Sequence, residues 1–239
     1  MQLLLNNKTA LITGAGRGIG KATALLFAQQ GAHVLLASRT KSELEKLAQV
    51  INRKGGRASI VPCDLNTEQD IKRLAVQACE ANTDILINNA GWGVKGAFHK
   101  LSPKDMNSIL DVNLRAPMLL TQRLLPHLIA KKSGCIVNIA SMAGKLGMPH
   151  SVTYCASKHG LVGFSNALFE EVRAHSIKVS VICPGFVDTS LVPQTRKINR
   201  TKMIRPEDIA QACLFVATAS PESCPVEIIV RPQQSPYHH

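Results

Sequence analysis

Short, almost wholly apolar runs alternate along this chain with longer stretches in which apolar residues recur every three or four positions. The apolar runs are Thr9 to Thr13, His33 to Ser38, Ala58 to Pro62, Asp84 to Asn88, Cys135 to Ala140, Lys178 to Cys183 and Val226 to Arg231. Runs of this length without polar alternation are the mark of strands buried on both faces. Between them the spacing predicts helices over Lys21 to Gln30, closed by Gly31, over Lys41 to Lys54, stopped by Gly55 and Gly56, and over Thr67 to Glu80 with Thr67 as N-cap. In the second half, Ser102 and Pro103 open a helical region reaching His127, which Pro117 must kink or divide, and two further helices cover Thr153 to Ala174 and Pro206 to Thr218. Strands separated by helices of this length need crossover connections. The expected fold is therefore α/β, a doubly wound parallel sheet of about seven strands with helices on both faces. One stretch breaks the rhythm: Thr189 to Arg205 is polar, basic and longer than an ordinary connector, and is read as a substrate lid over 189–205.

Composition narrows the class. The 239 residues are 45% hydrophobic and 18% charged, the balance of a soluble globular protein, and no repeat or linker divides them, so one domain over 1–239 is expected. No apolar run reaches the length of a membrane span and the first residues lack a basic, signal-like start, so a cytoplasmic protein is expected. Seven scattered cysteines without a Cys-x-x-Cys pair argue against a disulfide framework and against a thiolate metal site; no metal is expected. His238 and His239 read as a tag remnant. The net charge of +12 suits an anionic partner, yet there is no basic arm or low-complexity tail of the kind that binds nucleic acid.

The first strand runs into Gly14-Ala-Gly-Arg-Gly-Ile-Gly20 and then into the first helix. Glycines here let the backbone turn sharply and approach a pyrophosphate at the positive end of the helix, which points to a dinucleotide and a Rossmann-type sheet. The end of the second strand discriminates between dinucleotides. A carboxylate there would hold the ribose hydroxyls of NAD, but no Asp or Glu occurs between Lys21 and Ser42. Arg39 ends that strand instead and Arg17 stands in the turn, so two guanidiniums converge on the 2′-phosphate of NADP.

The reacting end is marked by Tyr154 and Lys158, four residues apart and so on one helix face, with Ser141 following the fifth apolar run. A phenol with an ordinary pKa of roughly 10 is a poor acid-base near neutrality, and a cation beside it should move it toward the working range. These residues, together with the glycine turn, Asn88-Asn-Ala-Gly91 and Pro184-Gly-Phe-Val-Asp-Thr189, stand in the order and at the intervals of the short-chain dehydrogenase/reductase family, which the chain resembles over nearly its whole length.

That resemblance implies a catalytic set of Asn113, Ser141, Tyr154 and Lys158. It implies a cofactor site of Gly14, Arg17, Gly18, Ile19, Gly20, Arg39, Asp64 beside the adenine, Asn88, Ala90 and Gly91 beside the ribose, Tyr154, Lys158, and Pro184, Gly185, Val187 and Thr189 around the nicotinamide. The cofactor would be NADPH. The reaction would interconvert a carbonyl and a secondary alcohol, with Tyr154 giving the proton, Lys158 lowering its pKa and Asn113 anchoring a water. Asn88 and Asn89 could equally tie the sheet together, Trp92 packs or shapes the pocket mouth, and Ile139, Ala140 and Val187 pack the ring or the core. The helices at 102–127 and 153–174 suggest a homodimer or homotetramer. Members acting on acyl-carrier thioesters usually finish in a Val-Asp-Gly-Gly-like end, whereas this chain runs Cys224 to Pro232 without one. Two readings compete with a reductase: a non-catalytic dinucleotide sensor on the same fold, and a nucleic-acid binder supported by charge alone. Within the lid, Arg196, Lys197, Arg200, Lys202 and Arg205 suggest recruitment of an anionic substrate such as an acyl thioester, with Lys131, Lys132 and Arg173 as outer contacts; the alternative is a solvated loop.

Overall fold

The computed structural model describes residues 3–192, 194–195 and 198–237; Arg196 and Lys197 of the expected lid, and His238 and His239, lie outside the described residues. Seven strands form one sheet: β1 (Thr9–Thr13), β2 (His33–Ser38), β3 (Arg57–Pro62), β4 (Ile85–Asn88), β5 (Gly134–Ile139), β6 (Ile177–Pro184) and β7 (Glu227–Val230). Their order is β3-β2-β1-β4-β5-β6-β7, and every pairing is parallel. The chain order reverses between β1 and β4, where Ala10 is in register with Ile85. Crevices at such reversals, outside the carboxyl ends of the strands, are where open parallel sheets bind ligands.

Helices cover both faces because alternate strand residues point to opposite sides. Ala10, Ile12, Val34, Leu36 and Val137 pack toward α1 (Gly18–Gln29), α2 (Lys41–Arg53) and α7 (Pro206–Thr218), around a fully buried Phe27. Leu11, Leu35, Leu86 and Ile136 pack toward α3 (Glu68–Glu80), α5 (Ala116–Lys131) and α6 (Val152–Val172). Two-sided burial is why the strands read as continuous apolar runs.

The elements begin or end within a few residues of their sequence-predicted bounds, and α7 coincides with them. Ser102 caps α4 (Pro103–Leu110) by accepting a hydrogen bond from the Asp105 N–H at 3.0 Å. Thr67 occupies the N-cap position of α3 but its hydroxyl donates to the Asp64 carbonyl instead of capping. The long helical region is interrupted not at Pro117 but by a π turn, Asp111–Arg115, between α4 and α5. Pro117 follows the π turn by two residues in a backbone that is helical on both sides, so its missing N–H falls where the turn has already broken the regular α-helical ladder. The helix then runs past Pro126 to Lys131, beyond the expected His127. No described helix is long and apolar enough to cross a membrane, and no described cluster of His, Cys, Asp or Glu could hold a metal ion. All seven cysteines are free thiols, and burial pushes Cys63, Cys135 and Cys213 up to about 12.

A polar chain threads the core. The Asn88 amide donates to the Asn138 side chain at 2.8 Å and to the Thr121 hydroxyl at 3.3 Å, and the Asn138 amide donates to Ser165 at 2.8 Å. All four residues are buried. The chain thereby links β4 and β5 to α5 and α6, on one face of the sheet. Replacing Asn138 by Ala would take one hydrogen bond each from the Asn88 amide, which keeps Thr121, and the Ser165 hydroxyl, which keeps the Leu161 carbonyl, at about 0.5–1.5 kcal/mol apiece, and the cavity left behind adds to the loss. We expect Asn138→Ala to lower the unfolding free energy by about 2–4 kcal/mol in a chemical denaturation experiment; a loss below about 0.5 kcal/mol would show that the network is not a structural element.

Candidate active site

A cleft of about 700 Å³ opens at the carboxyl ends of the strands, over the β1/β4 reversal. Its floor at one end is the glycine turn. Gly14 and Gly18 have φ of +63° and +54°, a region that favours glycine. Gly20 stands behind the turn rather than on the cleft: a Cβ there would lie 2.3 Å from the Gly14 carbonyl oxygen, so its lack of a side chain lets α1 pack against the turn. The first turn of α1 holds no acidic residue and its N-cap makes no side-chain hydrogen bond, leaving its N–H groups free for an anion. With Gly14, Arg17, Gly18 and Ile19 along one wall, the site fits a pyrophosphate.

Ser38, Arg39 and Thr40 at the end of β2 form the adjoining wall. Arg17 and Arg39 are exposed, and neither has an ion-pair partner among the described residues. Asp64 lines the cleft opposite. Burial raises its pKa, but hydrogen bonds from the Asn66 N–H at 3.0 Å and amide at 2.8 Å, with the Arg39 charge, bring it below the usual carboxylate value. One acidic residue escaped the reading of the sequence. Glu43, in the first turn of α2, also lines this end, its carboxylate 2.5 Å from where a Gly16 Cβ would sit. It lies one position beyond the window Lys21 to Ser42, inside an ordinary amphipathic helix, so only the fold reveals that it faces the cleft.

Ala90 and Gly91 line the middle of the cleft, whereas Asn88 does not. The Asn88 side chain points into the core, so its expected place beside the ribose is corrected: it is a tie between strands, and cleft lining begins at Asn89. Asn89 holds the glycine turn, its amide donating to the Thr13 carbonyl at 2.8 Å and the Gly14 carbonyl at 3.2 Å.

At the other end, Ser141, Tyr154 and Lys158 share the cleft with Ile139, Ala140, Pro184, Gly185, Val187 and Thr189. Ser141 follows β5 and accepts a hydrogen bond from the Ala143 N–H at 3.1 Å. Tyr154 is one turn before Lys158 on α6, and the ammonium lies 5.8 Å from the phenol ring centre. The Lys158 side chain is buried and donates to the Ile139 carbonyl at 2.8 Å; burial lowers its pKa to about 8. Tyr154 moves the other way. Burial raises its pKa above 10 and outweighs the hydrogen bond with Ser141 that lowers it. The expected depression by Lys158 is not seen: the phenol is raised, and the ammonium is turned toward the Ile139 carbonyl.

Asn113 sits in the π turn, fully buried and off the cleft lining. Its carbonyl oxygen accepts from the Trp92 N–H at 3.0 Å, and its amide donates to the Trp92 carbonyl at 2.9 Å and to Ser157 at 3.1 Å. The side-chain amide is therefore spent on the protein rather than offered to a water. What it fixes is Trp92, which lines the cleft and whose indole donates to the Ser108 carbonyl at 3.3 Å, so the two readings of this tryptophan both hold.

The segment expected to be a lid is held at several described residues. Arg200 pairs with Asp188 and donates to the Thr189 carbonyl at 3.0 Å and the Val192 carbonyl at 3.1 Å. It is a brace, not a free cation. Lys131 is engaged with Asp84 at 2.8 Å and Arg173 with Glu170 at 3.1 Å. Of the basic lid residues described, Lys202 and Arg205 remain exposed.

Comparison with known proteins agrees with this arrangement. The family model for short chain dehydrogenases matches residues 8–200. Among curated proteins, the chain is 36% identical over 213 residues to the ketoacyl reductase HetN of Nostoc sp., covering 87% of this chain and 74% of that one. It is 32% identical over 225 residues to the 3-oxoacyl-[acyl-carrier-protein] reductase FabG of Thermotoga maritima, covering 90% and 92%. A fatty acyl-CoA reductase of Acinetobacter baylyi is 36% identical over 222 residues, covering 91% and 75%. The solved structure of a metagenomic short-chain oxidoreductase in complex with NADP superposes with a TM-score of 0.86 at 35% identity, over 97% of this chain and 100% of that one. A short-chain type dehydrogenase/reductase from Mycobacterium marinum does so with a TM-score of 0.88 at 30% identity, over 97% of each. With a doubly wound sheet, a glycine turn at its reversal and a tyrosine–lysine pair across the same cleft, the chain belongs to the short-chain dehydrogenase family of oxidoreductases.

Proposed function

We propose that the protein is an NADPH-dependent reductase that interconverts a carbonyl and a secondary alcohol, with a 3-oxoacyl thioester as the favoured substrate class. The observation that carries this reading is the convergence of Ser141, Tyr154 and Lys158 on one cleft whose other end holds the two exposed guanidiniums of Arg17 and Arg39. Bound there, a nicotinamide dinucleotide would supply the hydride. Gly14, Gly18 and the N-terminus of α1 would hold its pyrophosphate, Arg17 and Arg39 a 2′-phosphate, and Pro184 to Thr189 the nicotinamide end. The relatives named as ketoacyl and fatty acyl-CoA reductases support the thioester class.

Ser141 would hold the carbonyl oxygen, and Tyr154 would donate its hydroxyl proton to that oxygen as negative charge develops there. A phenol kept protonated by burial is suited to the donor role in the reductive direction. Lys158 would stabilise the tyrosinate left behind, its ammonium one helical turn away. Asn113 acts as a positioning residue through Trp92 and Ser157, the latter donating to the Tyr154 carbonyl at 2.7 Å.

Tyr154→Phe should lower turnover by at least about a hundredfold while leaving NADPH binding within a factor of two, because only the transferable proton is lost. Steady-state NADPH oxidation with acetoacetyl-CoA and fluorescence titration of NADPH check this; near-normal turnover sinks the mechanism, and a protein that binds NADPH but reduces no carbonyl favours the sensor. Arg39→Asp should lower the preference for NADPH over NADH by about ten- to a hundredfold, the worth of one charge-assisted contact plus repulsion. A wild type that already prefers NADH refutes the cofactor assignment. A third outcome concerns pH. Below about pH 8 Lys158 is charged in both folded and unfolded chains and its burial penalty applies in full; above that it loses its proton in the folded state first. The stability of the wild type relative to Lys158→Met should therefore rise from about pH 8 toward the lysine's ordinary value of 10.5, as measured by denaturation at a series of pH values. A flat or falling difference would mean that the buried ammonium titrates normally.

A further inference from the structure

Beyond β7 the chain turns back beneath the lid. Pro232 packs on Gly185 so closely that a Cβ at Gly185 would lie 2.8 Å from Pro232 Cδ, and the Gly185 N–H donates to the Val230 carbonyl at 2.8 Å. Further on, the Asn199 N–H donates to the Pro236 carbonyl at 2.7 Å, and Ile198 and Tyr237 form an antiparallel bridge. The Tyr237 ring meets Phe186 edge to face, 5.3 Å between centroids and 85° between planes. Phe186 in turn lines the cleft, and its carbonyl accepts from the Ile204 N–H at 2.9 Å. The segment 231–237 thus touches both limbs of the lid, the one leaving β6 at Gly185 and Phe186 and the one returning at Ile198 and Asn199. It lies outside the residues 8–200 that carry the family match.

We propose that residues 231–237 form a strap that fixes the lid, and that Tyr237 is a specificity-determining positioning residue: by bracing Phe186 it shapes the substrate end of the cleft for an apolar chain on the reacting carbonyl. The surface beside Tyr154 supports the chemical class, since Trp92, Val94, Met148, Phe186, Leu191 and Val192 give it an apolar lining. Val94 and Leu191 are 39% and 50% exposed, apolar surface that an acyl chain would cover. Arg200 holds the lid to Asp188 from within, so the strap is a second and independent restraint. The specificity part of this inference rests on the reductase reading above; the strap itself does not.

The experiment uses the full chain with Tyr237→Ala and Tyr237→Phe. Amide exchange at Asn199 and Ile204 should quicken by roughly two- to tenfold in Tyr237→Ala and stay near wild type in Tyr237→Phe, since an edge-to-face ring is restored. With NADPH, the KM for 3-oxooctanoyl-CoA should rise by a similar factor in Tyr237→Ala, while kcat, the NADPH dissociation constant and the KM for a small neutral ketone stay within a factor of two. Tyr237 is 46% exposed, so the variant keeps the core intact. Unchanged exchange in Tyr237→Ala overturns the strap. Faster exchange with equal KM changes for the long and the small substrate overturns the specificity role. A wild type that reduces neither carbonyl overturns the reductase reading and the specificity role with it, and leaves the exchange rates to decide the strap.

Discussion

At the reversal between β1 and β4 a small hydrogen-bonded clamp holds the two halves of the sheet together at their ligand-facing ends. The Thr13 hydroxyl accepts from the N–H groups of Asn89 and Ala90 at 3.0 and 3.1 Å and donates to the Ile87 carbonyl at 3.3 Å. The Asn89 amide returns the contact to the carbonyls of Thr13 and Gly14. At a reversal the connections leave to opposite sides and open a crevice beyond the paired residues, and the β1–β4 register ends at Ile12 and Ile87. The clamp joins the strands just past that point, and it also fixes the entry to the glycine turn. Gly20 belongs to the same unit, for a side chain there would strike both the Gly14 carbonyl and the Asn89 amide, at 2.3 and 2.5 Å. The positions of the turn and of Ala90 and Gly91, and hence the width of the cleft, follow from this one junction.

The opposite end of the cleft is governed by burial rather than by pairing. A lysine and a tyrosine four residues apart suggest mutual stabilisation, but both are inside the protein, and each is pushed toward its neutral form. Desolvation acts on each group separately and is strongest where the Coulomb attraction would also be strongest. The phenol is accordingly held protonated, while the ammonium keeps its charge below about pH 8. Gly91 leaves the space beside the ammonium open, since a Cβ there would come within 3.4 Å of the Lys158 ammonium and 3.3 Å of the Asn113 carbonyl oxygen.

Much of this was legible in the sequence, for reasons that differ by element. Strands such as β2, buried on both faces, leave an apolar run with no alternation, and Pro206 marks the start of α7 because a helix's first turn has no N–H bond for proline to lose. The chemistry-bearing residues were legible where a local motif carries them, as with Tyr154, Lys158 and the glycine turn. What stayed hidden depends on contacts between distant positions. The π turn at Asp111–Arg115 adds a residue to a helix without altering its composition. Whether an asparagine faces a ligand or the core is set by strand register, so Asn88 and Asn89, adjacent and identical, have opposite fates. The basic segment around Arg200 looked free because Asp188, the partner of Arg200, is twelve residues away in the chain.

The depth at which the thiols sit has a consequence for how this protein meets oxidants. A thiol with a pKa near 12 is ionised at neutral pH in roughly one molecule in a hundred thousand, and peroxide and disulfide exchange both need the thiolate. Cys63, Cys135 and Cys213 are therefore silent despite their number. Cys63 shares the lining of the cleft with two thioethers, Met142 and Met148. Thioethers oxidise without needing to ionise, and a sulfoxide there would turn an apolar wall polar. Oxidation at these two methionines would thus alter the lining of the cleft, while the buried thiols of Cys135 and Cys213 and the sheet packed around them would be untouched.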